Sequence, residues 1–353
     1  MIGWTNMQNE LLLRKSKGLH VGDLVEVLSA QEILATLDEH GELESLPFMP
    51  EMMQFCSRQF RVDKVAVKAC DTITNSGMYR MHNAVHLSNL RCDGSAHGGC
   101  QAACNIYWKD AWLRKIEGPE AVNAESQEHG KTARSLHTRP VSSVACTIET
   151  LSKATRKECG SEPRGEPCYA CQATELLRAT PERIAPWNVS SYVRDVQAGN
   201  VGGWAMLMSF LVGVFNKAQD ATRGRLPERL SIRGGRRFPF IEGRLHKTPA
   251  ATLGLRPGEL VRIKSKEEIV RTLDVNNRNR GISFDSEMLM YCGREARVRQ
   301  RVQKIIDEKT GHMIYLKNPC IMLEDVVCTG RYRRYCPRGI YPYWREIWLE
   351  RVA

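Results

Sequence analysis

The sequence predicts an α+β fold in which a small SH3-like β-barrel module with helical additions occurs twice, on either side of a helical middle segment. Three observations predict it. GDLVEVLSAQEILATLD, from Gly22, returns as GELVRIKSKEEIVRTLD, from Gly258, an offset of 236 residues. The same offset carries PFMPEMMQFCSRQFRV (47–62) onto SFDSEMLMYCGREARV (283–298), Cys92 onto Cys328, Cys100 onto Cys336, and YWKDAWL (107–113) onto YWREIWL (343–349). One register held without a gap over about ninety residues is the mark of an internal repeat. Short alternating stretches separated by turn residues then argue for a small barrel, and the domain boundaries fall at 18–116, 117–253 and 254–352.

The elements of each module follow in the same order. A strand (Leu24 to Leu28; Leu260 to Lys264) runs into Ser29-x-x-Glu32 or Ser265-x-x-Glu268. In this capping box, hydroxyl and carboxylate satisfy the first free amides of a short helix. FRVDKVAVKA and MHNAVHLSNL in the first copy, and QRVQKII and MIYLKNPCIML in the second, alternate with a period near two and predict half-buried strands. A cysteine loop comes next, and YWKDAWL is predicted to close the module as a helix with Trp108 and Trp112 on one face. Between the modules, 117–160 is polar and reads as a linker, and 172–220 reads as helices, including SSYVRDVQAG and a buried helix over the apolar run Val201 to Phe215. RLSIRGGRRFPFIEGRLHKTP returns to extended chain, with Arg233, Arg236 and Arg237 on a solvated face.

Composition narrows the function. The apolar run falls short of the roughly 20 residues that span a bilayer, and no signal peptide precedes the first module, so the expected address is cytoplasmic with no membrane partner. The formal charge of +11 is regional, about −3 over 18–116 and about +7 over 254–352. Signatures of P-loop, dinucleotide-binding, zincin and serine-hydrolase sites are absent.

Thirteen cysteines exceed what packing needs, and in a reducing compartment they point to metal or redox use. LRCDGSAHGGCQAAC (90–104) places Cys92, Cys100 and Cys104 in a glycine-rich loop, where thiolates can turn toward one ion; Cys70 is the expected fourth ligand. His97 is a competing ligand or a group just outside the set. The second loop, CTGRYRRYC, keeps Cys328 and Cys336, but Ile306, Ile340 and Arg333 replace Cys70, Cys104 and His97. Cys168 and Cys171, a C-x-x-C, are expected to complete that second site, with a redox dithiol or a knuckle with Cys146 and Cys159 as alternatives. Cys56 and Cys292 read as core, and Cys320 has no assignment. The irregular C-x7-C-x3-C spacing favours an iron-sulfur cluster over zinc. An unidentified redox partner or a small-molecule substrate would then be served. The alternative is a zinc-stabilised nucleic-acid binder using Arg331, Arg333 and Arg334, interleaved with Tyr332 and Tyr335. His82 and His86, four apart in a strand, read as barrel lining.

Two resemblances rest on this loop. CDGSAH resembles the CDGSH iron-sulfur family, whose cluster is held by three cysteines and a histidine. Cys92, Asp93, Gly94, Ser95 and His97 match, with Ala96 inserted and no upstream C-x-C. LPFMPEMMQFC followed by LRCDGSAHGGCQAAC resembles a family of uncharacterised bacterial hypothetical proteins associated with specialised-metabolite or polysaccharide genes. That resemblance implies a bacterial cytoplasmic protein with a biosynthetic role, and no mechanism.

Overall fold

A computed structural model describes residues 18–117, 146–157, 167–222 and 232–352. Helices and strands share the chain, as an α+β fold requires. The first sheet is antiparallel, in the order Trp108–Lys109, Ala84–Leu87, Gln59–Val65, Leu24–Val27, Leu113–Lys115. The second runs Met313–Leu323, Glu295–Ile306, Leu260–Ile263, Leu349–Arg351, and a bridge between Ile321 and Trp344 stands where the first sheet has the pair Val85 and Trp108. Each sheet is open among the described residues, a half-barrel and not a closed barrel.

Local chemistry explains the matching elements. Ser29 caps Ala30–Leu34 and Ser265 caps Lys266–Val270, each with the reciprocal carboxylate bond from Glu32 or Glu268. The YWKDAWL segment is not the predicted helix. Trp108–Lys109 is a strand, Asp110–Trp112 a single 3-10 turn, and Leu113–Lys115 a strand on the other edge of the sheet. The kink brings both indoles inward, which the four-residue spacing had suggested for a different reason. Trp112 meets Phe48 edge-on at 5.2 Å and donates to Thr36 Oγ1 at 3.0 Å. Trp348 meets Phe284 at 5.6 Å and donates to Thr272 Oγ1 at 2.8 Å. Each half-barrel therefore has its own core, around Val25, Ile33 and Trp112 or around Val261, Ile269 and Trp348.

The middle segment packs on the first half-barrel. Asn200 mimics a strand partner, accepting from Val65 N and donating to Val65 O, both at 2.8 Å. Lys68 and Asp195 form a fully buried ion pair close by. Val189–Gln197 and Gly203–Thr222 are helices, as the sequence predicts, but the second is not the buried helix expected of its apolar run: Trp204, Leu207, Leu211 and Val214 are exposed. Among the described residues no helix is long and apolar enough to cross a membrane. Arg236 and Arg237 are paired with Glu242 and Asp220 on an exposed face. Most of the expected polar linker, and Cys159, lie outside the described residues.

The half-barrels meet through their loops. Ile306 N donates to Cys100 Sγ at 3.3 Å, and Cys70 N donates to Cys336 Sγ at 3.1 Å, two bonds related by the 236-residue offset. Thr72 donates to Glu308 across the same junction. Gln101 adds a short strand-like link, its amide donating to Lys304 O at 3.1 Å and its Oε1 accepting from Gln303 N at 2.7 Å.

Candidate metal centre

The first cysteine loop is closed at its base by Cys92 N donating to Cys104 O at 2.9 Å. At its tip Gly94 O accepts the amides of His97 (3.2 Å) and Gly99 (2.8 Å). Gly94 has φ +75°, and a Cβ there would lie 2.1 Å from Cys100 O, so no other residue fits. This turn folds the chain back and leaves Cys92, His97, Cys100 and Cys104 on its inner side.

They face a cavity of about 50 Å³, whose wall also includes Glu51, Cys171, Glu308 and Arg338. The apolar part comes from Met49, Met52, Ile106, Ile306 and Ile340. Glu51 arrives on the 3-10 helix Pro50–Phe55 and Cys171 at the start of Gln172–Ala179. Gln172 pins that start, accepting from Tyr107 N at 2.8 Å and donating to Tyr107 O at 2.9 Å.

Three donors of different kinds converge at one end. Cys92 Sγ lies 3.4 Å from Glu51 Oε1 and 3.4 Å from His97 Nε2, and His97 Nδ1 lies 3.4 Å from Glu51 Oε1. One ligand atom from each falls within 4.8 Å of the others. Glu51 Oε2 and His97 Nδ1 are buried with no hydrogen-bond partner, a cost that a protein normally avoids.

The electrostatics of the protein alone favour neutral forms. Burial pushes the Glu51 carboxyl up and His97 down to about 4. Burial, and then the nearby carboxylate, pushes Cys92 far above the thiol range; burial raises Cys100, takes Cys104 to about 12 and takes Cys171 to about 11. A bound cation reverses each of these penalties for the acids by adding positive charge beside them; the guanidinium in the wall, Arg338, is paired with Glu308. The donor set and its orphaned atoms fit a metal.

The spacing of the sulfurs carries further information. Around one tetrahedral ion, thiolates bound at about 2.3 Å stand about 3.8 Å apart. Among the described residues, only Glu51, Cys92 and His97 form a trio of acid, histidine or cysteine donors that close. Cys92, Cys100, Cys104 and Cys171 line a common space, but no three of their sulfurs are gathered that closely.

The eight cysteines group differently from the sequence expectation. Cys171, not Cys70, joins Cys92, Cys100 and Cys104 at the cavity. Cys70 packs with Cys336 in a separate buried cluster, and Cys328 lies in the loop beside it. Cys168 is disulfide-bonded and 3.4 Å from the ring nitrogens of His312, so the C-x-x-C does not act as one unit. The physical reason is the exchange at the junction: the strand ending at Cys70 crosses to the second loop and the strand ending at Ile306 to the first, while Cys171 enters the cavity wall from the start of Gln172–Ala179. Cys56 and Cys292 pack against the two cores, and Cys146 against the first. Buried Cys320 contacts Asn318 O. His86 is fully buried, while His82 is half exposed beside Glu182.

Glu51 went unassigned in the sequence although a signal was there. PEMMQFC and SEMLMYC keep an acid at the same repeat position, 51 and 287, inside an apolar stretch where a carboxylate gains nothing from water. No family model, no curated protein and no solved structure matches this chain.

Proposed function

We propose that this is a metal-binding protein built on a tandem duplication of an SH3-like unit, and that its cavity holds an iron-sulfur cluster serving electron transfer or a metal-dependent biosynthetic step. One observation carries the reading: four thiols from two segments about seventy residues apart line one cavity, and no three of them are gathered as closely as the Glu51, Cys92 and His97 trio. When bound, such a cluster supplies one-electron transfer, or Lewis acidity at an iron not fully ligated by protein.

The chain's own residues do the rest. Cys92, Cys100, Cys104 and Cys171 would be the ligands. The Ile306 amide, donating to Cys100 Sγ at 3.3 Å, disperses charge on that sulfur. His97 and Glu51, each 3.4 Å from Cys92 Sγ, orient it from two sides. Met49, Met52, Ile306 and Ile340 keep water out.

Zinc is the second reading, favoured by the Glu51, Cys92 and His97 trio, a nitrogen, oxygen and sulfur set suited to one divalent ion. The nucleic-acid alternative is weakened by Arg333, which is committed to Asp285 at 2.5 Å. The test is iron, zinc and acid-labile sulfide analysis with visible spectroscopy on anaerobically prepared protein, repeated on Cys171→Ser. Brown protein with iron and sulfide, both lost in Cys171→Ser, is the expected result. A colourless protein whose zinc survives Cys171→Ser and is lost in Glu51→Ala replaces the first reading with the second, and metal-free protein sinks both.

A further inference from the structure

The second cysteine loop faces a thiol where the first faces a methyl group. Cys336 Sγ accepts the Cys70 amide at 3.1 Å, in the position where Cys100 Sγ accepts that of Ile306. That amide nitrogen is one bond from the Cys70 Cα, so the two side chains are within disulfide-forming reach. Both are buried together among Met78, Ile184 and Ile340.

The surroundings differ from the cavity by one further cation. Arg338, which also lines the cavity, donates to Cys70 O at 2.9 Å, and here Arg333 occupies the place of His97. The acids here are already used. Glu287, the counterpart of Glu51, accepts from Arg331 N at 3.1 Å, Tyr332 N at 2.5 Å and Thr329 Oγ1 at 3.1 Å. Asp285 holds Arg333. A cation would find satisfied acids and two guanidinium groups, whereas a thiolate finds its counter-charges in place.

We propose that Cys70 and Cys336 form a peroxide-reactive dithiol that closes into a disulfide between the two half-barrels. The pair is asymmetric. The hydrogen bond from Cys336, helped by Arg338 and Arg333, lowers Cys70 to about 6 against the opposing effect of burial, while burial raises Cys336. Cys70 is thus the attacking sulfur and Cys336 the proton holder. Cys70 thiolate attacks one oxygen of hydrogen peroxide, the O–O bond breaks, and the departing hydroxide takes the proton that Cys70 gave up, leaving Cys70 sulfenic acid and water. Cys336 sulfur then attacks the Cys70 sulfur; the S–O bond breaks and hydroxide leaves with the Cys336 proton as a second water. Two thiols lose two electrons to one peroxide. Cys70 is only 5% exposed, which selects a small oxidant.

Trypsin makes the test direct, because Cys70 falls alone in residues 69–80 and Cys336 alone in residues 335–338. Full-length protein, purified anaerobically with whatever metal it carries, is treated with one equivalent of hydrogen peroxide, alkylated and digested. The expected product is these two peptides joined with loss of two hydrogens, in greater yield than any other cysteine pair. Cys336→Ser should block the link and leave Cys70 trapped by dimedone; Cys70→Ser should show neither. Finding both cysteines alkylated at a dose that oxidises others overturns the proposal, as does a loss of bound metal in either variant, which would make them ligands. Should Cys70→Ser fail to fold, the wild-type peptide map decides alone. Metal content of the cavity is read independently, so failure of either reading leaves the other standing.

Discussion

The two cysteine loops have the same backbone and opposite chemistry. Gly94 and Gly330 make the same turn, and the Cys92 and Cys328 amides close the two loops on Cys104 O and Ile340 O at 2.9 and 2.7 Å. Around the first, burial disfavours the charged forms of donors that are incompletely bonded; around the second, Glu287 and Asp285 have partners and Arg333 and Arg338 flank the sulfurs. Three positions account for the difference: 97/333 (His or Arg), 104/340 (Cys or Ile) and 70/306 (Cys or Ile). A scaffold can thus hold its shape while side chains at three points decide whether a cation or a thiolate is welcome.

The most damaging way to break the comparison is at the shared turn. A Cβ at Gly94 would lie 2.1 Å from Cys100 O, and one at Gly330 would lie 2.4 Å from Cys336 N. Neither contact is a flexible side chain, so Gly94→Ala and Gly330→Ala should each cost about 2–4 kcal/mol in chemical denaturation. Their functional effects should separate: the first loses bound metal, and the second loses the Cys70 to Cys336 link while retaining metal. Equal metal loss in both would show one coupled centre.

A sharper contrast comes from the paired acids. Glu287 accepts two backbone amides and a hydroxyl, so Glu287→Gln should destabilise by about 1.5–3 kcal/mol. Glu51 is buried with one oxygen unpartnered and its carboxyl pushed up by burial. Glu51→Gln should therefore leave metal-free protein as stable or stabilise it, on the order of 1 kcal/mol at neutral pH, by removing a buried charge. Thermal unfolding of both variants after chelation reads the sign, and a loss of stability in Glu51→Gln would show that Glu51 is structural.

Much of this was legible in the sequence because matching segments are visible without folding. The 236-residue offset located both loops, both capping boxes and both pairs of buried tryptophans. The assignment of cysteines to sites was not legible, since it depends on which strand end crosses the junction. Cys70 and Ile306 exchange loops, and nothing local to either residue encodes that. Cys171 was read with Cys168 because C-x-x-C usually acts as a pair, yet Gln172, bonded to Tyr107 across 65 residues, draws Cys171 alone into the first cavity. The Trp108 and Trp112 spacing misled in another way: a strand, a tight turn and a strand can put residues four apart into one core as readily as a helix does.

The smallest expected effect tests the cores beneath the loops. His86 is fully buried, bonded through Nδ1 to Ile106 O at 2.9 Å with Nε2 unpartnered, and its counterpart at 322 is methionine. Burial, the largest influence, lowers its pKa from 6.5 to about 4, so the unfolded chain binds a proton that the folded one refuses over that interval. The sign follows: stability is complete above about pH 6.5 and falls as the pH drops toward 4, by up to about 1.4 kcal/mol per unit for this one group. His97, lowered to about 4 in the same way, adds a second contribution of the same sign. His86→Met should flatten the acid limb by its own share and cost about 1 kcal/mol at pH 7, because methionine fills the equivalent place in the second core while Ile106 O loses its bond to the ring. Denaturation midpoints at pH 7 and pH 5 for His86→Met and wild type decide it; an unchanged acid slope would mean that His86 is already protonated in the folded protein and that its Nε2 has a partner.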